Sequence, residues 1–190
     1  EKMVDFMNKV VCRLADTIVL CNQKYLRTMT DRYAISEERV KYLGLWRRFP
    51  EFTEPAFSKK ALFFGRINPY KGVEQLLKIV RSCPEIQFDV VGRVDPQMRA
   101  TAQSLKNEPN VRLIDSYVSE DDMRSAFTHA DWVILPYESA TQSGVIIDAY
   151  KYSTPVIAFD VGAISEQVED GVSGYLVEAG NHMEFTQKLK

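Results

Sequence analysis

The chain has 190 residues, of which 45% are apolar and 26% charged, and a formal net charge of −2. That composition describes a soluble globular chain, long enough for one sizeable α/β domain or a domain plus a fragment. It excludes a nucleic-acid binder driven by bulk charge, and no run is long and apolar enough to span a membrane.

In chain order, Val4, Met7, Val10, Val11 and Leu14 fall at helical spacing and predict a first helix. Ile18–Cys21 reads as a short buried strand, Asn22 as the cap of a helix from Gln23 to about Tyr33, and Val40–Leu43 as a further strand. The stretch GLWRRFPEFTEPAFSKK has no periodicity and contains Pro50 and Pro55, so it reads as a linker. From Ala61 the pattern alternates. Strands are predicted at 61–64, 87–91, 111–114, 132–135, 156–159 and 174–177, with helices between them at 73–81, 96–106, 120–128, 145–152 and 164–168. The strands are continuous apolar runs, as in a parallel sheet covered on both faces. The fold class is therefore α/β, a Rossmann-like doubly wound parallel sheet of about six strands. The expected division is 1–45, a linker over 46–59, and the doubly wound domain over 60–190. The chain opens mid-pattern at Glu1 and closes inside a helix-like run, Met183–Lys190, so it is expected to be a piece of a longer protein.

Cys12, Cys21 and Cys83 show no metal spacing and read as buried free thiols of a reducing compartment. Neither His129 nor His182 has a partner at ligand spacing, so no metal is expected. No signal peptide is visible, and the expected location is cytoplasmic. Val4–Leu14, with Lys9 and Arg13, has amphipathic character; packing against a sheet is the favoured reading and a membrane surface the alternative.

In an open doubly wound sheet, ligands bind beyond the carboxyl ends of the strands, where strand order reverses. With the order 3-2-1-4-5-6, the loops facing each other there are Gly65–Gly72 and Pro136–Gly144. The first offers Arg66 and Lys71 and, at Gly65 and Gly72, close backbone approach. The second offers Thr141, Gln142 and Ser143, then Gly144 at the start of a helix whose amides and dipole favour an anion. Cations facing a helix N-terminus suit a diphosphate. Asp148, about one turn further on, suits vicinal hydroxyls. Taken singly, Ser143 also reads as an N-cap, Gly144 as a turn residue, Arg66 and Lys71 as solvated charges, and Asp148 as the partner of a nearby lysine. Their placement on facing loops favours a site.

The stretch FFGRINPYKGVEQLLKIV resembles the start of the C-terminal domain in retaining glycosyltransferases of the GT-B fold, specifically family 4, which reads G-R-[LI]-x-P-x-K-G there. ILPYESATQSGVIIDAYKYSTPVIAFDVGAISEQVEDGVSGYLV looks like the family's donor-site segment, ending in a close match to V-x-D-G-x-[NS]-G-x-L-V. The resemblance covers about residues 60–180, and 4–43, with the strand in ADTIVLCN, is similar to the last elements of the family's N-terminal domain. It implies that Arg66 and Lys71 hold the donor diphosphate and stabilise the departing nucleoside diphosphate. Thr141, Gln142, Ser143 and Gly144 would wrap the distal phosphate and sugar, and Asp148 would replace the family's ribose-binding glutamate. Backbone near Tyr117 and Val118 would flank the base, and Arg93 would reach the sugar or a phosphate. Many members place a sugar-contacting glutamate where this chain has Ala140; Glu138 is near but out of register.

The implied activity is hexosyl transfer with retention, from a nucleotide diphosphate sugar to a glycan or lipid-linked glycan, as in polysaccharide biosynthesis. The donor is a substrate, and no cofactor or metal is implied. The acceptor site would lie largely on the absent part of the N-terminal domain, leaving this chain to bind donor and transfer little. A peripheral membrane contact on the cytoplasmic face stays open, as do the base, the sugar, the acceptor and the oligomeric state. A nucleotide-sugar epimerase on the same architecture would need further acid–base residues. A flavodoxin-like or receiver module is the non-catalytic alternative, and a receiver needs an acidic cluster where Arg66 and Lys71 stand.

Overall fold

The computed structural model describes residues 2–44 and 58–190. The expected linker thus lies, over 46–57, outside the described residues. The chain divides into two compact units, Glu1–Trp46 and Arg47–Lys190.

In the first unit, α1 (Lys2–Leu14) is followed by β1 (Ile18–Leu20), α2 (Leu26–Tyr33), a 3₁₀ turn (Glu37–Arg39) and β2 (Val40–Tyr42). β1 and β2 pair in parallel, with Ile18 opposite Val40. Buried Cys12, Tyr33 and Ile35 make a small core against Ile18, Met29 and Val40. Asp5 ties the helices together, accepting from Arg32 at 2.8 Å and from the Tyr33 hydroxyl at 3.2 Å. Arg39 donates to the carbonyls of Cys12 and Ala15, satisfying acceptors left at the end of α1. Met3, Val4, Phe6, Met7 and Leu14 of α1 are exposed. Two expectations are corrected here. Cys21, just past β1, is exposed rather than buried. Asn22 does not cap α2: the helix starts at Leu26 from Tyr25, and the Asn22 side chain instead accepts from the Tyr25 amide at 3.2 Å.

The second unit is a six-stranded, all-parallel sheet in the order β5-β4-β3-β6-β7-β8. Its strands are β3 (Lys60–Phe64), β4 (Gln87–Val91), β5 (Val111–Ile114), β6 (Trp132–Leu135), β7 (Val156–Phe159) and β8 (Gly174–Val177). The helices are α3 (Val73–Ser82), α4 (Arg99–Lys106), α5 (Glu120–Thr128), α6 (Gly144–Lys151) and α7 (His182–Leu189). This is the order 3-2-1-4-5-6 expected for a doubly wound sheet. β7 is buried at every position because both its faces are covered. α3 buries Val73, Leu76, Ile79 and Val80, the spacing of one helical face. Phe185 of α7 packs edge-on against Phe159 at 5.1 Å. Each such fully buried side chain contributes roughly 1.5–3 kcal/mol. Buried Asn110 donates to the carbonyls of Val80, Cys83 and Ile86, satisfying the turn that ends α3.

Two predicted helices are shorter than expected. Asp95 and Pro96 start a separate 3₁₀ turn (Pro96–Met98), with the Asp95 side chain accepting from the Gln97 amide, and α4 begins only at Arg99. The segment expected as a helix over 164–168 is a single 3₁₀ turn, Ile164–Glu166. Among the described residues, no helix is long and apolar enough to cross a membrane.

Candidate functional site

β3 lies between β4 and β6, so strand order reverses there and the loops beyond β3 and β6 meet. Their approach is close. The Glu138 amide donates to the Tyr70 carbonyl at 2.9 Å, and the Gln75 side chain donates to the Glu138 carboxylate at 3.1 Å. Gly72 adopts φ +67°, and a Cβ there would stand 1.8 Å from the Pro136 carbonyl oxygen. Only glycine combines this backbone with that approach.

Lys71 sits at the end of a 3₁₀ turn (Pro69–Lys71) and is 6% exposed. Its ammonium donates to the Phe64 carbonyl at 2.9 Å and lies 5.3 Å from the Tyr137 ring centroid. A Cβ on Gly65 would stand 2.7 Å from that ammonium and 3.7 Å from Val145 of α6. Burial lowers the Lys71 pKa to about 8. Burial also raises the Tyr137 phenol, and the neighbouring Ser143 side chain opposes that rise. Lys71, Gly65, Tyr137, Ser143 and the start of α6 therefore form one assembly.

Arg66 and Arg93, both exposed, form a second group about Tyr117. Their guanidinium groups stand beside the exposed Tyr117 hydroxyl and together lower its pKa, Arg66 contributing most. Arg93 also lies over the Tyr117 ring at 5.4 Å. Val118, half-buried, follows in the loop after β5. A cavity of about 540 Å³ borders Tyr117 and Val118 and continues past Asp89 and Arg112 to α5; its lining does not include Lys71 or α6.

Thr141 and Gln142 are exposed. Ser143 occupies the N-cap position of α6 and is 5% exposed, but its side chain makes no capping hydrogen bond. The first amides of α6, from Gly144 on, have no acceptor within the helix. Asp148 is half-buried in the second turn of α6. Glu138 is held by Gln75 of α3. Among the described residues, no group of three or more His, Cys, Asp or Glu is placed to hold a metal ion. Sequence reasoning assigned no role to Tyr137, read only as part of the loop Pro136–Gly144, or to Gln167, whose side chain meets the Ser143 backbone; no local spacing announces either.

The fold and site define a doubly wound α/β domain whose switch-point crevice carries a buried ammonium facing a helix start. A profile described as "Glycosyl transferases group 1" matches residues 58–190, and the chain belongs to that family. It is 32% identical over 119 residues to a GDP-mannose:glycolipid 4-beta-D-mannosyltransferase of Xanthomonas campestris pv. campestris, an alignment covering 59% of this chain and 34% of that one. It is 31% identical over 142 residues to a phosphatidyl-myo-inositol mannosyltransferase of Mycobacterium leprae, covering 71% and 37%. The chain thus spans little more than a third of the length of these relatives. Among solved structures, Anabaena Alr3699/HepE in complex with UDP and glucose superposes with TM-score 0.83 at 19% identity, covering 99% of this chain and 56% of that one. Sucrose-phosphate synthase of Thermosynechococcus elongatus gives 0.81 at 18% identity, covering 100% and 52%. These likenesses show the fold, that of GT-B glycosyltransferases.

Proposed function

We propose that this chain is the donor-binding half of a glycosyltransferase of this family. The observation that carries the reading is Lys71: an ammonium buried beside the start of α6, its pKa lowered by burial, is a charge held for an anion. The donor would be a nucleotide diphosphate sugar. Lys71 and the first amides of α6 meet the diphosphate, Thr141 and Gln142 meet the distal phosphate and sugar, and Asp148 accepts from ribose hydroxyls. Arg66 and Arg93 supply further positive charge, and the backbone at Tyr117 and Val118 flanks the base. The names of the relatives fit this class: one is named for a GDP-mannose donor and a glycolipid acceptor, and a structural neighbour was solved with UDP and glucose.

In the proposed transfer, the bond from the anomeric carbon to the diphosphate breaks and a bond to the acceptor oxygen forms on the same face. The acceptor proton passes to the leaving phosphate oxygen. Lys71 and Arg66 offset the charge that builds on that oxygen, where electrostatic stabilisation acts most strongly. These residues need no metal or cofactor for that role. The acceptor, a glycan or lipid-linked glycan, would be held by the rest of the longer protein, which would work at the cytoplasmic side of a membrane or free of it.

Calorimetric titration of UDP, GDP and ADP into the chain tests the reading, alongside Lys71→Ala. Binding of one nucleotide, weakened about tenfold or more by the substitution, supports it. A folded chain that binds none of the three rejects it. Retention is tested separately on the longer protein, by whether the product's anomeric configuration matches that of the donor.

A further inference from the structure

Gln167 lies just past the 3₁₀ turn Ile164–Glu166, in the loop after β7. Its side-chain amide meets the backbone of Ser143 at two points. Oε1 accepts from the Ser143 amide at 2.7 Å, and Nε2 donates to the Ser143 carbonyl at 3.0 Å. Gln167 is itself held. Its amide donates to the Ile164 carbonyl at 2.9 Å. Its carbonyl accepts from the Tyr150 hydroxyl at 3.1 Å, and that hydroxyl also pairs with Ser173 at 2.8 Å.

The same loop fixes the other flank. The Ala163 amide donates to the Ala140 carbonyl at 3.2 Å. Gly162, at φ +58°, lies so close that a Cβ would stand 1.5 Å from that carbonyl oxygen. Ala140 and Ser143 are thus both pinned to the loop after β7, and exposed Thr141 and Gln142 form the arch between them.

We infer that Gln167 is a positioning residue, which sets the Thr141–Gln142 arch and the start of α6 in the geometry that meets the donor's distal phosphate and sugar. The inference rests on the donor-binding reading of this chain. The chemistry requires an amide, because one planar group must accept and donate at once. Leucine fills a similar volume but leaves the Ser143 amide and carbonyl unpaired. An ionised glutamate accepts but cannot donate, and it sets a negative charge against the Ser143 carbonyl and the incoming diphosphate. A protonated glutamate restores both hydrogen bonds. That same surrounding raises the carboxyl's pKa, which gives the residue a pH signature that packing alone would not produce.

The test titrates UDP, GDP and ADP into the wild-type chain, Gln167→Leu and Gln167→Glu at pH 5.5 and pH 8, with folding checked by circular dichroism. Exchange of the Ser143 amide is followed in parallel. The expected result is binding about tenfold weaker for Gln167→Leu at both pH values. Gln167→Glu should be similarly weak at pH 8 and return to within about threefold of wild type at pH 5.5. If Gln167→Leu does not fold, Gln167→Glu at the two pH values decides alone. Wild-type affinity in the variants overturns the inference, and so does a weak Gln167→Glu that fails to recover in acid. A wild-type chain that binds no nucleotide overturns the donor reading instead. Ser143 exchange then still reports the clamp, slow in wild type and fast in Gln167→Leu, so the two failures are told apart.

Discussion

The ammonium of Lys71 donates to the carbonyl of Phe64 at 2.9 Å, at the last residue of the central strand β3. A carbonyl satisfies one of its hydrogens but not its charge, and burial lowers the pKa from 10.5 to about 8. Below pH 8 the folded chain carries the full cost of that buried charge. Between about pH 8 and 10.5 the unfolded chain holds the proton and the folded chain does not, so this group makes stability rise with pH. A bound diphosphate favours the charged form, so nucleotide affinity should be level below about pH 7.5 and fall above pH 8. In Lys71→Met, affinity should be weak and independent of pH, while the free chain gains about 1–2 kcal/mol in denaturant unfolding. A pH-independent wild-type affinity, or a destabilised Lys71→Met, would count against the role given to this ammonium.

Gly72 makes a second expectation. With φ +67° and the Pro136 carbonyl in the space of any Cβ, Gly72→Ala must push the β3 and β6 loops apart. The cost should be about 1–3 kcal/mol, read from the midpoint of urea unfolding, with nucleotide affinity falling as well. Gly171→Ala is the control. It also has positive φ, at +75°, but a Cβ there meets nothing within 4 Å, so it should cost less and leave binding unchanged.

Asp131, 8% exposed, accepts from the amides of Ser58 and Lys60, at 2.9 and 3.1 Å, where the chain begins β3. Asp131→Ala leaves both amides without that acceptor and should cost about 2 kcal/mol. Amide exchange at Ser58 and Lys60 should accelerate while the Leu62 amide stays protected. Equal protection in both proteins would show that Asp131 does not fasten this strand.

The sheet was legible because its strands are buried on both faces and so appear as unbroken apolar runs; Val156–Phe159 is buried throughout, and its limits match the prediction. The meeting of the β3 and β6 loops was legible because right-handed crossovers leave few strand orders. What escaped was side-chain direction. Nothing in G-R-I-N-P-Y-K-G says that Lys71 turns back to the Phe64 carbonyl and the Tyr137 ring while Arg66 reaches Tyr117, since Tyr137 and Tyr117 are brought in from the loops after other strands. Gln167 reads as an ordinary polar residue of a short helical stretch, yet its partner Ser143 lies 24 residues earlier. The shortened segments at 96–106 and 164–168 failed for a local reason: Asp95 and Pro96 stop and restart the backbone, and the second segment ends after one turn.

The bond between the Tyr70 carbonyl and the Glu138 amide also has a kinetic meaning. It staples the loop after β3 to the loop after β6, and the Gln75–Glu138 hydrogen bond adds a second staple. The two bonds already hold the walls of the crevice together before a ligand arrives. Arrival should be a single encounter with no closing step behind it. Stopped-flow traces should then show one exponential phase whose rate grows linearly with nucleotide concentration. Because the ligand is an anion drawn by Lys71, Arg66 and Arg93, that rate should quicken as salt is withdrawn.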